Sequence, residues 1–170
     1  MLPSDTDQAS ALARRRDAKV KGRARISFGP ARPLRHALEI RNNTFIDPSF
    51  VALLCKHRVA LVIADTAGKW PQYEDVTAGF VYMRLHGDEE LYKSAYMEGA
   101  LTRWAKRIRR WSEGGEPSDS RRMVDKAAAV RRSRDVFCYD NTDKVEAPGN
   151  ALRLMKKLDI VWPIQPRSNV

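Results

Sequence analysis

The sequence predicts an α/β protein built around a parallel β-sheet. Residues 59–64 form a nearly continuous run of β-branched and aliphatic side chains, typical of a strand buried on both faces of a parallel sheet. Segments with strand-like alternation are separated by segments with helical periodicity. Several predicted strands also end in polar side chains, where α/β proteins commonly place their chemistry. Together these observations predict repeated β/α units with a site at the carboxyl ends of the strands.

Composition limits the class of protein. At 170 residues with 43% apolar side chains, the chain is at most one ordinary domain with enough apolar residues for a core. No apolar run approaches the roughly 18–20 residues of a membrane span, and the Arg-rich N-terminus lacks the apolar region of a secretion signal. The two cysteines have no metal-type spacing and fall in apolar patterns, which indicates reduced core thiols rather than a disulfide or a nucleophile. We therefore expect a cytoplasmic protein that does not associate with membranes.

The formal charge of +10 is unevenly distributed along the chain. Residues 1–35 carry about +6, residues 103–134 about +7 and the remainder about −3. Such basic regions could hold nucleic acid weakly through its phosphates. Solvated arginine side chains are the alternative interpretation.

Residues 1–31 contain many arginines and few large apolar side chains. Such a composition buries too little surface to offset chain entropy, so we expect a disordered basic tail in which a short helix could form over 8–19. The folded domain is then expected over residues 32–170.

The first predicted strand covers residues 35–41, with Leu38 and Ile40 on one face and Glu39 and Arg41 on the other. Asp47-Pro48 predicts a helix start, because aspartate caps helices and proline fits the first helical position. This helix should run to about residue 56. The strand over 59–64 follows and ends in Asp65, and another strand is expected over 79–86.

The second half of the sequence predicts four further segments. A helix over 97–112 is followed by a flexible insert over 113–133, which contains a marginal helix near 120–131. A strand over 135–141 and a last helix over 150–158 complete the domain. Apolar residues recur at steps of three and four along the 97–112 helix and predict a core-facing stripe, although interleaved Trp and Arg could also stack on nucleic acid. The members of the stripe are Met97, Leu101, Trp104, Ala105, Ile108 and Trp111. Connections of these lengths favour right-handed crossovers and hence a parallel sheet.

Polar side chains gather at the predicted strand ends, and in three of the four strands they share the parity of the more polar face. This is the layout of the catalytic face of a (β/α) barrel. Three residues could transfer protons and are the candidate catalytic residues: Glu39, Asp65 and His86. Three others are candidate ligand-binding residues, with the arginines suited to a phosphate or carboxylate: Arg41, Arg84 and Asn141.

Two alternatives remain open for these residues. The carboxylates and His86 could bind a divalent metal, but no ligand-spaced motif such as His-Glu-x-x-His appears, so no metal-binding residue is assigned. Alternatively, Glu39, Arg41 and Arg84 could form a salt-bridge network that stabilises the end of the barrel.

Several of these stretches resemble the YecE-like family, a widespread prokaryotic domain of unknown function with a TIM-barrel fold. The similar stretches are residues 36–41, the Asp47-Pro48 helix, and residues 59–65, 80–87, 101–108, 135–141 and 147–154. The resemblance covers about residues 32–159 and corresponds to the carboxyl-terminal half of the family. It implies four β/α units, about half a TIM barrel, whose open edges would favour a homodimer or a complementing half-barrel.

The sequence supports three hypotheses of function, because the resemblance names no biochemical activity. The first is a hydrolase or isomerase that acts on a small phosphorylated or carboxylated molecule. The second is a non-catalytic, basic nucleic-acid-binding protein that uses the two basic regions. The third is a truncated, inactive remnant, so whether the chain is an enzyme stays open.

Overall fold

A computed structural model describes residues 2–20, 22, 26, 29–87, 96–140, 142 and 145–161. The chain divides into two compact units, Met1–His36 and Ala37–Val170. Within the described part of the chain, no helix is both long and apolar enough to cross a membrane.

The first unit contains helix α1, which covers Thr6–Arg14. Asp5 caps it, because its side-chain oxygen accepts a hydrogen bond from the backbone N–H of Gln8 at 2.8 Å. Asp5 also forms an antiparallel bridge with Pro33. The sequence allowed a short helix over 8–19, and α1 begins two residues before it. The disordered tail over residues 1–31 stays a prediction.

The second unit consists of β/α units, as predicted. Its elements are β1 (Ala37–Leu38), α2 (Pro48–His57), β2 (Ala60–Asp65), β3 (Phe80–Leu85), α3 (Glu98–Ser112), β4 (Asp135–Asp140) and α4 (Glu146–Lys157). The strands form one four-stranded sheet in the order β1-β2-β3-β4, and every neighbouring pair is parallel. The described residues thus form an α/β fold with the arrangement of a partial (β/α) barrel.

Helix α2 begins where the sequence predicted. The side chain of Asp47 accepts a hydrogen bond from the Ser49 N–H at 2.6 Å, and Pro48 occupies the first helical position. Arg58 ends the helix in the left-handed conformation, with φ of 54°. The chain then enters β2, in which all six residues are buried.

The two faces of the sheet differ in chemistry. Strand register places Val62, Tyr82 and Phe137 side by side on one face, which we call the inner face. The opposite face packs against helices through a core of aliphatic and aromatic side chains: Ile63, Val81, Met83 and Leu85 from the strands, Leu101, Trp104, Ala105, Ile108 and Trp111 from α3, and Leu154 from α4. Five of the six predicted stripe residues of α3 are therefore buried. Met97 precedes the helix and is 67% exposed.

Helix α4 begins at Glu146, four residues before its predicted start. Pro148 and Gly149, which precede the predicted start, lie in its first turn. Proline is tolerated there because first-turn N–H groups have no intrahelical partner. Asn150 is fully buried and donates a hydrogen bond to the Thr142 hydroxyl at 3.2 Å, which holds the helix against the residues after β4.

Residues 113–133 contain no helix, so the marginal helix predicted near 120–131 is wrong. This 113–133 segment is instead held by hydrogen bonds to side chains outside it. The Asp75 carboxylate accepts hydrogen bonds from the Met123 and Val124 N–H groups, and the buried Arg134 guanidinium donates to the Gly115 and Ala129 carbonyls. These polar contacts satisfy backbone groups that a helix would have paired locally.

Candidate functional site

The candidate site lies on the inner face at the carboxyl ends of the strands. Arg84 belongs to β3 and is the register partner of Ala64 and Tyr139. Glu39 and Arg41 follow β1, and His86 follows β3. Since side chains alternate along an extended chain, Arg84 and His86 leave β3 toward the same face, as predicted.

Glu39 joins the two arginines of the site. Its Oε2 accepts a hydrogen bond from Arg84 Nη1 at 2.6 Å, and its Oε1 accepts one from Arg41 Nε at 2.9 Å. The carboxylate is 12% exposed, whereas the Arg84 and Arg41 side chains are 27% and 51% exposed. The salt-bridge network that the sequence offered as an alternative is therefore present, and both of its guanidinium groups are partly exposed to solvent.

This pairing keeps Glu39 ionised. Burial alone would raise the pKa of Glu39, but the hydrogen bonds and charges of Arg84 and Arg41 outweigh it and lower the pKa. A carboxylate of lowered pKa is a weak proton acceptor near neutral pH. The geometry therefore favours a positioning role for Glu39 over that of a general base.

His86 is fully buried beside this network. Its Nε2 lies 4.0 Å from Glu39 Oε2, beyond hydrogen-bond distance. Burial lowers the pKa of His86, and the positive charge of Arg84 lowers it further, although Glu39 opposes this. The imidazole is thus held neutral near pH 7, the form that can accept a proton.

Trp70 is a residue of the site that sequence reasoning missed. The Arg41 guanidinium carbon lies 4.2 Å from the centre of the Trp70 ring, a cation–π contact. The same ring meets the His86 imidazole edge-on, with 6.3 Å between ring centres. Trp70 lies in the long loop between β2 and β3, where no local periodicity could indicate which way its side chain turns.

Asp65 is not brought to this site. It shares strand parity with Ile63 and so faces the helices. Its Oδ2 accepts a hydrogen bond from the indole N–H of Trp104 at 3.0 Å, and its carboxylate also hydrogen bonds the buried Tyr96 hydroxyl. Burial raises the pKa of Tyr96, and the Asp65 charge adds to this effect. These contacts favour a structural role for Asp65 over the catalytic role suggested by the sequence.

Asn141, the remaining candidate, lies outside the described residues. Among the residues that are described, no three His, Cys, Asp or Glu side chains lie close enough together to bind a metal ion. The arrangement that does exist is a pair of arginines around one carboxylate, with a neutral histidine beside it. Such a group can bind an oxyanion through guanidinium N–H donors and accept or return a proton at the imidazole.

Comparisons with solved structures agree with the fold. A DUF72 family protein from Enterococcus faecalis V583, solved at 3.10 Å resolution, is 21% identical with a TM-score of 0.57, over 81% of this chain and 52% of that one. A DUF72 family protein from Thermotoga maritima MSB8, solved at 2.20 Å, is 21% identical with a TM-score of 0.59, over 75% of this chain and 47% of that one. The chain thus spans about half the length of each, and these likenesses support the fold alone.

A search of curated proteins gives no match. The protein-family model described as "Protein of unknown function DUF72" matches residues 23–168. That match covers most of the chain, including every strand of the sheet. The protein therefore belongs to DUF72, the YecE-like family, for which no biochemical activity is established.

Proposed function

We propose that the protein binds a small phosphorylated or carboxylated molecule at Arg41 and Arg84. The observation that carries the proposal is the double ion pair on Glu39, which positions two partly exposed guanidinium groups around one carboxylate. A guanidinium has five N–H donors in a planar fork, a geometry that suits a phosphate or carboxylate group. The net charge of this trio is favourable for an anion and unfavourable for a cation.

We further propose that any reaction there is a hydrolysis or an isomerisation in which His86 handles the proton. His86 has a lowered pKa and is neutral near pH 7, whereas Glu39 is engaged by both arginines. In this scheme the arginines hold the anionic group of the substrate. Glu39 orients the guanidinium groups and is not the base.

The test is a calorimetric titration with inorganic phosphate. Removal of Arg84 deletes a charge-assisted hydrogen bond worth about 1.5–3 kcal/mol, so Arg84→Ala should weaken phosphate binding about 10- to 100-fold. Arg132→Ala is the matched control, because Arg132 is exposed in the 113–133 segment and its loss changes the net charge equally. Equal phosphate affinity in the wild type, Arg84→Ala and Arg132→Ala would refute the proposal.

A second candidate function is nucleic-acid binding along the outer surface of α3. Arg103, Lys106, Arg107 and Arg110 fall at helical spacing and line a groove of about 630 Å³ whose other wall includes Pro117. A row of cations over seven residues spans roughly 10 Å, enough for two successive phosphates. Against this, Arg107 already pairs with Glu74 at 2.6 Å and with Asp119 at 2.7 Å.

The nucleic-acid proposal predicts salt-dependent, sequence-independent affinity for single-stranded oligonucleotides. The double variant Arg103→Ala/Lys106→Ala should weaken that binding and reduce its salt dependence, while Arg84→Ala should not. Fluorescence anisotropy at several salt concentrations measures both. Unchanged binding in the double variant would exclude this surface.

The described part of the chain contains no group of residues that could bind a metal ion. No step of the proposed reaction therefore uses a divalent metal.

We propose that the protein is located in the cytoplasm. Cys55 and Cys138 carry free thiols, which fits this reducing compartment. Titration of the purified protein with a thiol reagent would check that both cysteines are reduced when it is isolated from cells.

A further inference from the structure

The inner face carries a group of stacked aromatic rings, which we call the aromatic shelf: Phe80, Tyr82, Phe137 and Tyr139. The rings of Tyr82 and Tyr139 are nearly parallel, at 19°, with centres 5.2 Å apart. Tyr82 also stacks on Phe137 at 6.5 Å, and Phe137 meets Phe80 edge-on at 5.8 Å. Rings held in this way are fixed in position, because each one restricts the rotation of its neighbour.

Two of the four rings are exposed to solvent, whereas Phe80 is buried and Tyr82 is half-buried. Tyr139 is 52% exposed and Phe137 is 38% exposed, whereas the helix-facing residue Met83 of the adjacent strand is completely buried. Exposed rings on an otherwise well-packed sheet lose the free energy that burial would provide. An exposed apolar patch of this kind indicates a binding surface.

The shelf adjoins the anion site directly. Arg84 and Tyr139 are register partners on neighbouring parallel strands, so their side chains leave the same face about 4.8 Å apart. Tyr82 and Arg84 lie two residues apart on β3, about 6.6 Å along the strand. A molecule held by Arg84 through a phosphate or carboxylate would therefore have its next atoms over the ring of Tyr139. This surface is positively charged at Arg84 and apolar at the rings. It is therefore complementary to a ligand that carries an anionic group next to an apolar group.

We propose that the anionic ligand carries a flat ring next to its phosphate or carboxylate, and that this ring stacks on Tyr139. This inference rests on the proposed anion site and narrows its ligand class. Two strands and two positions along each strand give a shelf of about 5 by 7 Å, the size of one six-membered ring. Stacking between aromatic rings contributes beyond buried area, so a planar ring should be preferred about 2- to 10-fold over a saturated ring of the same size.

The experiment compares three probes by calorimetry: inorganic phosphate, phenyl phosphate and cyclohexyl phosphate. Cyclohexyl phosphate is the more hydrophobic of the two esters, so a preference for phenyl phosphate cannot arise from hydrophobicity. We expect phenyl phosphate to bind more tightly than cyclohexyl phosphate by about 2- to 10-fold. That preference should disappear in Tyr139→Ala and persist in Tyr139→Phe, which keeps the ring, while inorganic phosphate should bind all three proteins equally.

The two proposals fail in different ways. Equal affinity for both esters, with phosphate binding still dependent on Arg84, would overturn the stacking inference and leave the anion site standing. Failure of all three probes to bind the wild type would overturn the anion site and the stacking inference with it. A thermal melt of each variant confirms folding, and Tyr139→Phe keeps the comparison informative if Tyr139→Ala unfolds.

The shelf could instead be covered by a second copy of the chain. Light scattering distinguishes this case. A dimer in the wild type that becomes a monomer in Tyr139→Ala, without any preference between the two esters, would identify the shelf as an interface between copies and overturn the ligand inference.

Discussion

Replacing Asp65 by alanine should destabilise the fold while anion binding at Arg84 is unchanged. Asp65 ends β2 and was a candidate catalytic residue by sequence, but its carboxylate accepts a hydrogen bond from the indole N–H of Trp104 on the helix-facing side of the sheet. Trp104 is 2% exposed, and Tyr96, whose hydroxyl also hydrogen bonds Asp65, is fully buried. Alanine would leave both donors without this acceptor in a place that water barely reaches.

The expected loss follows from these two contacts. An orphaned buried donor costs about 1–3 kcal/mol, and two of them, offset by relief of the cost of burying a charge, give a loss of about 2–4 kcal/mol in the free energy of unfolding. With a urea dependence of about 2 kcal/mol per molar, the unfolding midpoint should fall by about 1–2 M. Asp65→Asn keeps an acceptor oxygen and should lose roughly half as much.

The assay is urea unfolding followed by circular dichroism, combined with a double-mutant cycle. Trp104→Phe removes the N–H donor and keeps most of the ring. If Asp65 acts through Trp104, the losses for Asp65→Ala and Trp104→Phe should not add, and the coupling energy should be about 1–2 kcal/mol. Phosphate titration of Asp65→Ala, at a temperature where it is folded, measures the site separately.

Two results would refute this reasoning. An unchanged urea midpoint in Asp65→Ala would mean that the hydrogen bond to Trp104 does not stabilise the fold. A folded Asp65→Ala protein that no longer binds phosphate would place Asp65 in the site, as the sequence suggested.

Three further predictions concern other parts of the second unit. Because the arginines lower the pKa of Glu39, its stabilising contribution should be complete above the ordinary carboxyl pKa and be lost as pH falls below about 4, as urea midpoints from pH 7 to pH 3 would measure. Gly114 has φ of 82°, and an added Cβ would lie 1.8 Å from the Arg131 carbonyl oxygen, so Gly114→Ala should lower the melting temperature and cost about 2 kcal/mol or more. Maleimide should label exposed Cys55 faster than Cys138, whose burial raises its pKa to about 12, and peptide mass spectrometry would show the order.

Each of these predictions has a matched control. Glu39→Gln should show a shallower acid loss than the wild type, and an equal loss in both would contradict the role of the ion pairs. Gly99→Ala should be stabilising by about 0.5–1 kcal/mol, because Gly99 lies in α3 with open space around it, so destabilisation in both glycine variants would point to another cause. Cys55→Ser should remove the fast labelling, and fast labelling that survives it would disprove the assignment.

The elements with local signals were predicted well from the sequence. The capping aspartate and the proline of Asp47-Pro48 predict the start of α2 within two residues. The continuous apolar run of β2 predicts a buried strand, and all of its residues are buried. The pairing of Arg84 with Glu39 could also be predicted from the sequence, because strand alternation places both side chains on the inner face.

The features that sequence reasoning missed depend on distant partners. The 113–133 segment has a composition that permits a marginal helix, but the distant Asp75 carboxylate accepts hydrogen bonds from its backbone N–H groups instead. The position of Trp70 over Arg41 is likewise set by a long loop without periodicity. Asp65 differs from these, because its parity with Ile63 was visible in the sequence. We nevertheless predicted a catalytic role for Asp65, because it is polar and lies at the end of a strand. Its partner Trp104 could not be predicted, because Trp104 lies 39 residues further along the chain.

The order of strands in the sheet has a consequence for synthesis. Because β1, β2, β3 and β4 are neighbours in the order of the chain, each strand after β1 emerges from the ribosome when one of its partners has already been made. The connection between β2 and β3 is the shortest of the three, whereas β3 and β4 are separated by α3 and the 113–133 segment, so pairing of β2 with β3 has the smallest entropic cost. A nascent chain that has reached the end of β3 already contains the six-residue strands β2 and β3, so we expect this pair to form first and to serve as the template on which β4 is added.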